Sequence, residues 1–250
     1  MTDLQAILDA GGPWQQARII GDQLLIQGDC REVMAVMPKV DACLTDPPFG
    51  IKRDRGFGVG GSAGWGGFYA KREGVKRYSG NWDRDRPDHD TIALMCSLAD
   101  FAVIWGGQFF ADLLPAKGKW LFWDKCQTMP SYGDGELAWT NLPGDAVKQF
   151  TYNGNGLMAK EKDRHHPTQK PIALMEWCLG FLPDARTILD PFAGSGTTAV
   201  ACQRLGRQSI SIELDADYWA IMCKRVQEVV DRPPLFTPAP PKPTQDAMDL

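Results

Sequence analysis

The chain has no Cys-x-x-Cys pair, no apolar run long enough to cross a bilayer, and no excess of positive charge. Each absence closes off a class. Seven cysteines scattered without paired spacing argue against a disulfide framework or a zinc knuckle. They suit reduced core residues, so a cytoplasmic protein is expected. The three histidines are also poorly spaced for a metal: His165 and His166 are adjacent and His89 stands alone among acids, so no metal is expected. Without some 20 consecutive apolar residues no membrane span is expected, and MTDLQAILDAGG lacks the charged and apolar blocks of a secretion signal. A net charge of -4 is awkward for a nucleic-acid-binding surface, although local distribution matters more than the sum. What remains, 250 residues with 44% apolar content, is enough for the core of one catalytic domain.

Against that background one string carries chemistry. Asp46-Pro47-Pro48-Phe49 closes the apolar run from Val40 to Thr45. It sets a carboxylate, a rigid turn with an outward carbonyl, and an aromatic ring within four residues. Proline fixes its own φ and restricts the residue before it. Such a turn grips a planar amine. An exocyclic amine on a nucleobase is a poor nucleophile because its lone pair is delocalised into the ring. An Asp46 carboxylate accepting one N–H and a Pro47 carbonyl accepting the other would draw the nitrogen toward tetrahedral geometry and stabilise the positive charge that develops. Phe49 then offers a ring on which an extruded base can stack.

A second string supplies a place for a cofactor. Ala185 to Leu189 reads as a short buried strand, followed by Asp190-Pro191-Phe192-Ala193-Gly194-Ser195-Gly196-Thr197-Thr198 and a helical pattern from Ala199 to Leu205. Glycines in such a turn allow close approach of a ligand, and the helix N-terminus behind them presents unpaired N–H groups. Gln208 to Ile212 reads as the next strand, with Glu213 at its end, where an acid can accept from a ribose diol. A phosphate-gripping P-loop would need a lysine after the last glycine, and Thr197 stands there. The nicotinamide pattern G-x-G-x-x-A does match Gly194 to Ala199, so an NAD-binding oxidoreductase stays open, but it gives no reason for the Asp46 turn. A third strand, Leu24 to Gln27, ends at Gly28-Asp29-Cys30. S-adenosylmethionine accounts for all three pieces together.

With these motifs quoted, the chain resembles the DNA amino-methyltransferases, which modify adenine at N6 or cytosine at N4, over nearly all of Gly21 to Arg232. The family's catalytic string is an Asp, Asn or Ser, then Pro-Pro, then an aromatic; here it is Asp46, Pro47, Pro48 and Phe49. Its F-x-G-x-G loop is matched by Phe192 to Gly196, its acid after the next strand by Glu213, and its acid near the cofactor adenine by Asp29. His166-Pro167-Thr168-Gln169-Lys170-Pro171 looks like the segment lining the methionine end of the cofactor. The resemblance thus implies cofactor contacts from Asp29, Cys30, His166, Thr168, Lys170, Asp190, Phe192, Ala193, Gly194, Ser195, Gly196, Thr197 and Glu213. It implies a Rossmann-like α/β methyltransferase fold, a mostly parallel seven-stranded sheet with one antiparallel strand. The motif order is circularly permuted, catalytic half first, the family's beta group. Candidate strands are Leu24 to Gln27, Ala42 to Thr45, Phe101 to Trp105, Trp120 to Trp123, Val147 to Tyr152, Thr187 to Leu189 and Ser209 to Ile212. Helices are expected over Arg31 to Met37, Asp88 to Asp100, Pro171 to Leu182 and Asp215 to Val230.

The implied partner is double-stranded DNA, and related enzymes often dimerise. Directly after the catalytic turn, from Ile51 to Tyr78 of a glycine-rich stretch, Lys52, Arg53, Arg55, Lys71, Arg72, Lys76 and Arg77 stand against only Asp54 and Glu73. This basic segment, 51–87, is a candidate phosphate contact that closes over a flipped base. Relatives with long recognition sites carry a separate region before the His166 segment, where this chain has only Asn153 to Arg164. A short or relaxed recognition sequence is expected, read by the basic segment or by a small region 126–144 through Tyr132, Trp139 and Asn141. An opening Asp favours adenine N6 over cytosine N4, and the absence of any Pro-Cys pair argues against carbon-5 chemistry. The methyltransferase domain is placed at 17–231, after an N-terminal extension 1–16 and before a proline-rich tail 232–250 that reads as disordered. A non-catalytic DNA-binding module is the remaining alternative.

Overall fold

The computed structural model describes residues 2–51, 85–126, 133–153 and 169–232. Its frame is one sheet of nine strands: β1 (Gln16–Ile20), β2 (Gln23–Gln27), β3 (Val40–Thr45), β4 (Ala99–Trp105), β5 (Trp120–Asp124), β6 (Gly135–Thr140), β7 (Lys148–Thr151), β8 (Thr187–Asp190) and β9 (Gln208–Glu213), in spatial order β1-β2-β9-β8-β3-β4-β6-β5-β7. Seven of them run the same way. β1 pairs antiparallel with β2, and β6 runs antiparallel to both β4 and β5. The sheet therefore holds two strands more than the sequence pattern counted, β1 and β6. β1 forms a hairpin with β2 through Gly21, whose φ is +57°; its pattern is mostly exposed, and that blunts the alternation. β6 carries Glu136 inside an otherwise apolar strand, which hid it.

Among the described residues six α-helices complete the fold: α1 (Leu4–Ala10), α2 (Cys30–Ala35), α3 (His89–Leu98), α4 (Ile172–Leu179), α5 (Thr197–Arg204) and α6 (Ala216–Val230). Five begin at an aspartate or glycine whose position can be read from sequence: Asp3, Asp29, Asp88 and Asp215 each accept a hydrogen bond from a first-turn N–H, and Gly196 opens α5 in the left-handed region. The expected helix spans differ from these by at most three residues at either end, the usual softness of a fraying turn.

Alternation along the strands divides the core between the two faces of the sheet. Leu24 and Ile26, Cys43, and Ala102 and Ile104 pack with Val33 and Met34 of α2 and with Ile92 and Met95 of α3. Their neighbours Ala42, Leu44, Val103 and Trp105 face the other way, against Leu174 and Leu179 of α4 and Ala201 of α5, while Leu25 meets Val200 of α5 and Met222 of α6. Period-two burial on both faces marks a sheet covered on both sides. Each buried leucine or isoleucine contributes about 1.5–3 kcal/mol.

The chain's route locates the site. From β8 it passes through α5 to β9, toward one edge; from β3 it passes through α3 to β4, toward the other edge and over the opposite face. Adjacent strands β8 and β3 therefore part at their carboxyl ends, the crevice where open α/β sheets take ligands. Asp46 follows β3 and Asp190 ends β8.

Candidate active site

Side chains lock the two strand tips together. Thr45 Oγ1 donates to Asp190 Oδ1 at 2.7 Å, with both residues buried. At the opposite end of the pair Asp41 Oδ2 accepts from the Arg186 and Thr187 N–H groups at 2.8 Å each. The catalytic string and the glycine turn thus sit side by side although 140 residues separate them in the chain. Asp190 also accepts from Phe192 N at 3.2 Å. Burial pushes its carboxyl up to about 6, against the hydrogen bonds from Thr45, Thr198 and Phe192.

The turn after Asp190 needs its glycines. Gly194 has φ of +52° and Gly196 of +82°, values that L residues with a Cβ adopt reluctantly. A Cβ on Gly196 would lie 2.5 Å from Met222 Cγ, so the turn presses directly on α6, whereas one on Gly194 would meet nothing within 4 Å. Open space above this glycine leaves room for a ligand to approach the backbone. Two more contacts fix the turn: Arg225 Nη1 donates to the Ser195 carbonyl at 2.6 Å and to its Oγ at 3.0 Å, and Ser195 Oγ donates to Gln169 Oε1 at 3.0 Å.

Glu213 ends β9 beside this turn. Its two carboxylate oxygens accept from Gly194 N and from Asp215 N, each at 2.8 Å. Burial raises its carboxyl to about 7, with the two backbone donors working against that rise. Gln27 of β2 is the register partner of Glu213, and Gly28 N donates to the Glu213 carbonyl at 3.0 Å. Asp29 is therefore at the neighbouring strand tip. Its Oδ1 caps α2 through Arg31 N at 2.9 Å, and Arg31 Nη2 reaches Oδ2 at 2.6 Å, which holds the carboxyl below its ordinary value. Cys30, half-buried next to it, has its thiol pushed up to about 12 by burial and stays protonated. Acids at two strand tips, a glycine cradle and a helix start make a donor and acceptor set that suits a nucleoside with a charged tail.

Phe49 stacks on Phe109, with ring centroids 4.7 Å apart and planes 20° from parallel, and meets the edge of Phe110. The pairing exists because Gly106, with φ of +72°, has no Cβ to strike the Phe49 ring. Just beyond, Gly50 lies against Arg86, whose guanidinium is bidentate to Asp112 and donates to the Phe109 carbonyl at 2.7 Å. Both ends of the basic segment thus meet beside the catalytic turn. Lys52, Arg53, Arg55, Lys71, Arg72, Lys76 and Arg77 lie outside the described residues, as do His166 and Thr168.

The comparisons with known proteins agree with this geometry. A family profile described as a DNA methylase matches residues 123–224. Over 208 residues the chain is 32% identical to YubD of Escherichia coli (strain K12), a protein its name places among methylases; the match spans 77% of this chain and 85% of that one. The chain belongs to the DNA amino-methyltransferase family. Type II methyltransferase M2.DpnII of Streptococcus pneumoniae is 48% identical over 84 residues, 32% of this chain and 31% of that one. Among solved structures, the M1.HpyAVI–SAM complex superposes with a TM-score of 0.51 at 25% identity, covering 80% of this chain and 97% of that one. The PvuII cytosine-N4-specific DNA methyltransferase shares the fold at a TM-score of 0.53 and 15% identity, over 87% and 94% of the two chains.

In this methyltransferase two expectations shift. Trp139 and Asn141, candidates for touching bases, are structural. Trp139 is buried in β6 and donates to the Pro115 carbonyl at 2.8 Å, while Asn141 clamps β4 through Ala102 N at 2.7 Å and the Asp100 carbonyl at 3.1 Å. Within 126–144, Gly135–Thr140 is thus sheet, because β6 pairs on both sides; Tyr132 lies outside the described residues. Lys170, expected at the cofactor, is set against the carboxylate of Asp46. Its Nζ is 2.7 Å from both Asp46 carboxylate oxygens and 2.6 Å from Glu136 Oε1. Glu136 Oε2 in turn accepts from Lys125 Nζ at 2.8 Å. Sequence reasoning missed Glu136 and Lys125. The available signal was an acid placed among apolar strand residues at Glu136, where charge is seldom buried unpaired; Lys125, just past the end of β5, carried none.

Among the described residues no group of His, Cys, Asp and Glu is arranged to hold a metal, and no helix is long and apolar enough to cross a membrane.

Proposed function

We propose that the protein transfers a methyl group from S-adenosylmethionine to the N6 amine of a flipped-out adenine in double-stranded DNA, at a short recognition sequence. The observation that carries this reading is the Thr45–Asp190 bond, because it fixes the amine-gripping turn beside the glycine cradle at one pair of strand tips. The open space over Gly194 and the acids at two adjoining tips suit the cofactor: Glu213 would take the ribose diol, Asp29 the adenine end, and the Phe192–Thr197 turn would approach the methionine part. When bound, S-adenosylmethionine supplies an electrophilic methyl carbon whose bond to sulfur breaks, the electron pair staying on sulfur, as a nitrogen attacks.

The chain's own residues prepare that nitrogen. Asp46 accepts one amine N–H and the Pro47 carbonyl the other, and the negative charge of Asp46 offsets the positive charge that grows on the nitrogen in the transition state. Pro48 holds the turn rigid, and Phe49, braced by Phe109, supports the base ring. The methylated nitrogen then releases one proton. No covalent attachment to the protein is needed, so orientation and charge account for the rate.

The deciding experiment is to incubate the purified protein with S-adenosylmethionine and unmethylated DNA and to analyse the nucleosides by mass spectrometry. N6-methyladenine is the expected product. N4-methylcytosine would overturn the choice of base, and unmodified DNA would overturn the reading as a whole.

A further inference from the structure

Four charged side chains form a buried row leading inward from the catalytic carboxylate: Asp46, Lys170, Glu136 and Lys125. Lys170 is 4% and Glu136 8% exposed, while Asp46 is 22% exposed and forms the open end of the row. The charges cancel in pairs. Lys170 straddles the two acids, hydrogen-bonded to both oxygens of Asp46 and ion-paired to Glu136 Oε1 at 2.6 Å. A buried ammonium left with one acid would bind it tightly, because charge-assisted bonds strengthen out of water.

That creates a conflict with methyl transfer as read above, on which this inference rests. The carboxylate that must accept an N–H from the incoming amine is already occupied by an ammonium. We infer that Glu136 is a positioning residue for the reaction: it holds Lys170 back as the target amine arrives, so that Asp46 can accept the amine hydrogen while the lysine charge stays buried and paired. Lys125 serves the same end one step behind, keeping Glu136 ionised.

The local charges set the sign of a test. Asp46 faces Lys170 from the segment before α4, Glu136 from β6 and Asp190 from β8; burial, Glu136 and Asp190 push its carboxyl up, and Lys170 holds it down. Asp46 must be ionised to work, so removing Glu136 moves the acidic limb of the kcat–pH profile to lower pH, and removing Lys170 moves it to higher pH.

The experiment compares Glu136→Gln, Glu136→Asp, Lys170→Met and the double variant Glu136→Gln/Lys170→Met with the wild type, on DNA and S-adenosylmethionine. Binding of S-adenosylmethionine by calorimetry and thermal melting report whether each variant is folded. Glu136→Gln should lower kcat by about ten- to a hundredfold with the KM for S-adenosylmethionine within about twofold, the signature of a lost alignment at the reacting group. Its acidic limb should move down in pH, Glu136→Asp should recover part of kcat, and the double variant should be no slower than Lys170→Met alone, since Glu136 acts through the lysine. Additive losses in the double variant, or an acidic limb unmoved in folded Glu136→Gln, would overturn the inference. A wild type that transfers methyl groups while Glu136→Gln matches it in rate defeats this inference alone; a wild type that methylates no DNA defeats the functional reading and this inference with it.

Discussion

The two halves of the site hold their carboxylates by different means. On the cofactor side Glu213 is fixed by two backbone N–H groups and Asp29 by a backbone N–H and a neighbouring arginine. On the catalytic side Asp46 is held by a lysine shared with a second acid. Backbone dipoles are part of the fold and cannot be withdrawn without unfolding it, so the cofactor half is set in advance. An ammonium on a four-carbon stem can exchange partners. On the proposed reading, the cofactor half is built for binding and the catalytic half for a carboxylate released during the reaction.

The largest test of that division is Asp46→Ala. It should lower kcat by about 10²–10³-fold, the range found when one donor or acceptor is taken from a developing charge. Binding of S-adenosylmethionine, measured by calorimetry, should change little. A comparable loss of cofactor affinity would break the comparison, because it would mean that the two halves are one energetic unit.

Arg225→Met should do the converse. The arginine is 8% exposed and donates to both the carbonyl and the hydroxyl of Ser195. Removing it leaves a buried carbonyl short of a partner, at a cost of about 1–3 kcal/mol in stability. The glycine turn should loosen, S-adenosylmethionine should bind more weakly, and kcat at saturating cofactor should hold. Denaturant unfolding and steady-state kinetics check both parts. A fall in kcat at saturation would show that the turn positions the reacting carbon as well as binding the cofactor.

A smaller effect separates the halves by pH. Asp190 and Glu213 are raised to about 6 and about 7, chiefly by burial. A carboxyl raised on folding keeps protons that the unfolded chain gives up near pH 4. Its stabilising contribution is full below that pH and is lost as pH rises through 6 and 7. The melting temperature of the cofactor-free protein should therefore decline from pH 5 to pH 8, and Glu213→Gln should flatten the upper part of the decline. An unchanged slope in Glu213→Gln would mean that Glu213 is ionised throughout.

The same division decides what could be read from sequence. Asp29, Gly194, Gly196 and Glu213 stand at or just past strand ends that the apolar runs mark; Arg31 and Asp215, partners of Asp29 and Glu213, lie two residues away, and Gly194 meets Glu213 across one strand-turn-helix-strand unit. Local chemistry of this kind is visible in a string of letters. The Asp46–Lys170 contact joins residues 124 apart, and Glu136 enters it only because β6 turns back against β4 and β5. Its strand was obscured by the acid that makes it functional, since a charge within an apolar run reads as surface. The Phe49–Phe109 stack depends likewise on the left-handed turn at Gly106, between two strands that sequence places correctly but cannot bring together.

The smallest expected effect falls on the basic segment that leaves the catalytic turn at Gly50 and returns at Arg86. Its two ends are held beside the amine-gripping turn, where Gly50 lies against Arg86 and Arg86 pairs with Asp112. Each lysine or arginine that neutralises a phosphate adds about 0.9 to the slope of log affinity against log salt concentration. Replacing Lys71, Arg72, Lys76 and Arg77 together by glutamine should flatten that slope by up to about 3.6 units if all four are engaged. Binding should weaken at low salt and approach that of the wild type as salt rises, because the lost contribution is one that salt screens in any case. An unaltered slope would move DNA affinity to other surfaces and leave the catalytic half with the turn, the lysine and the two acids alone.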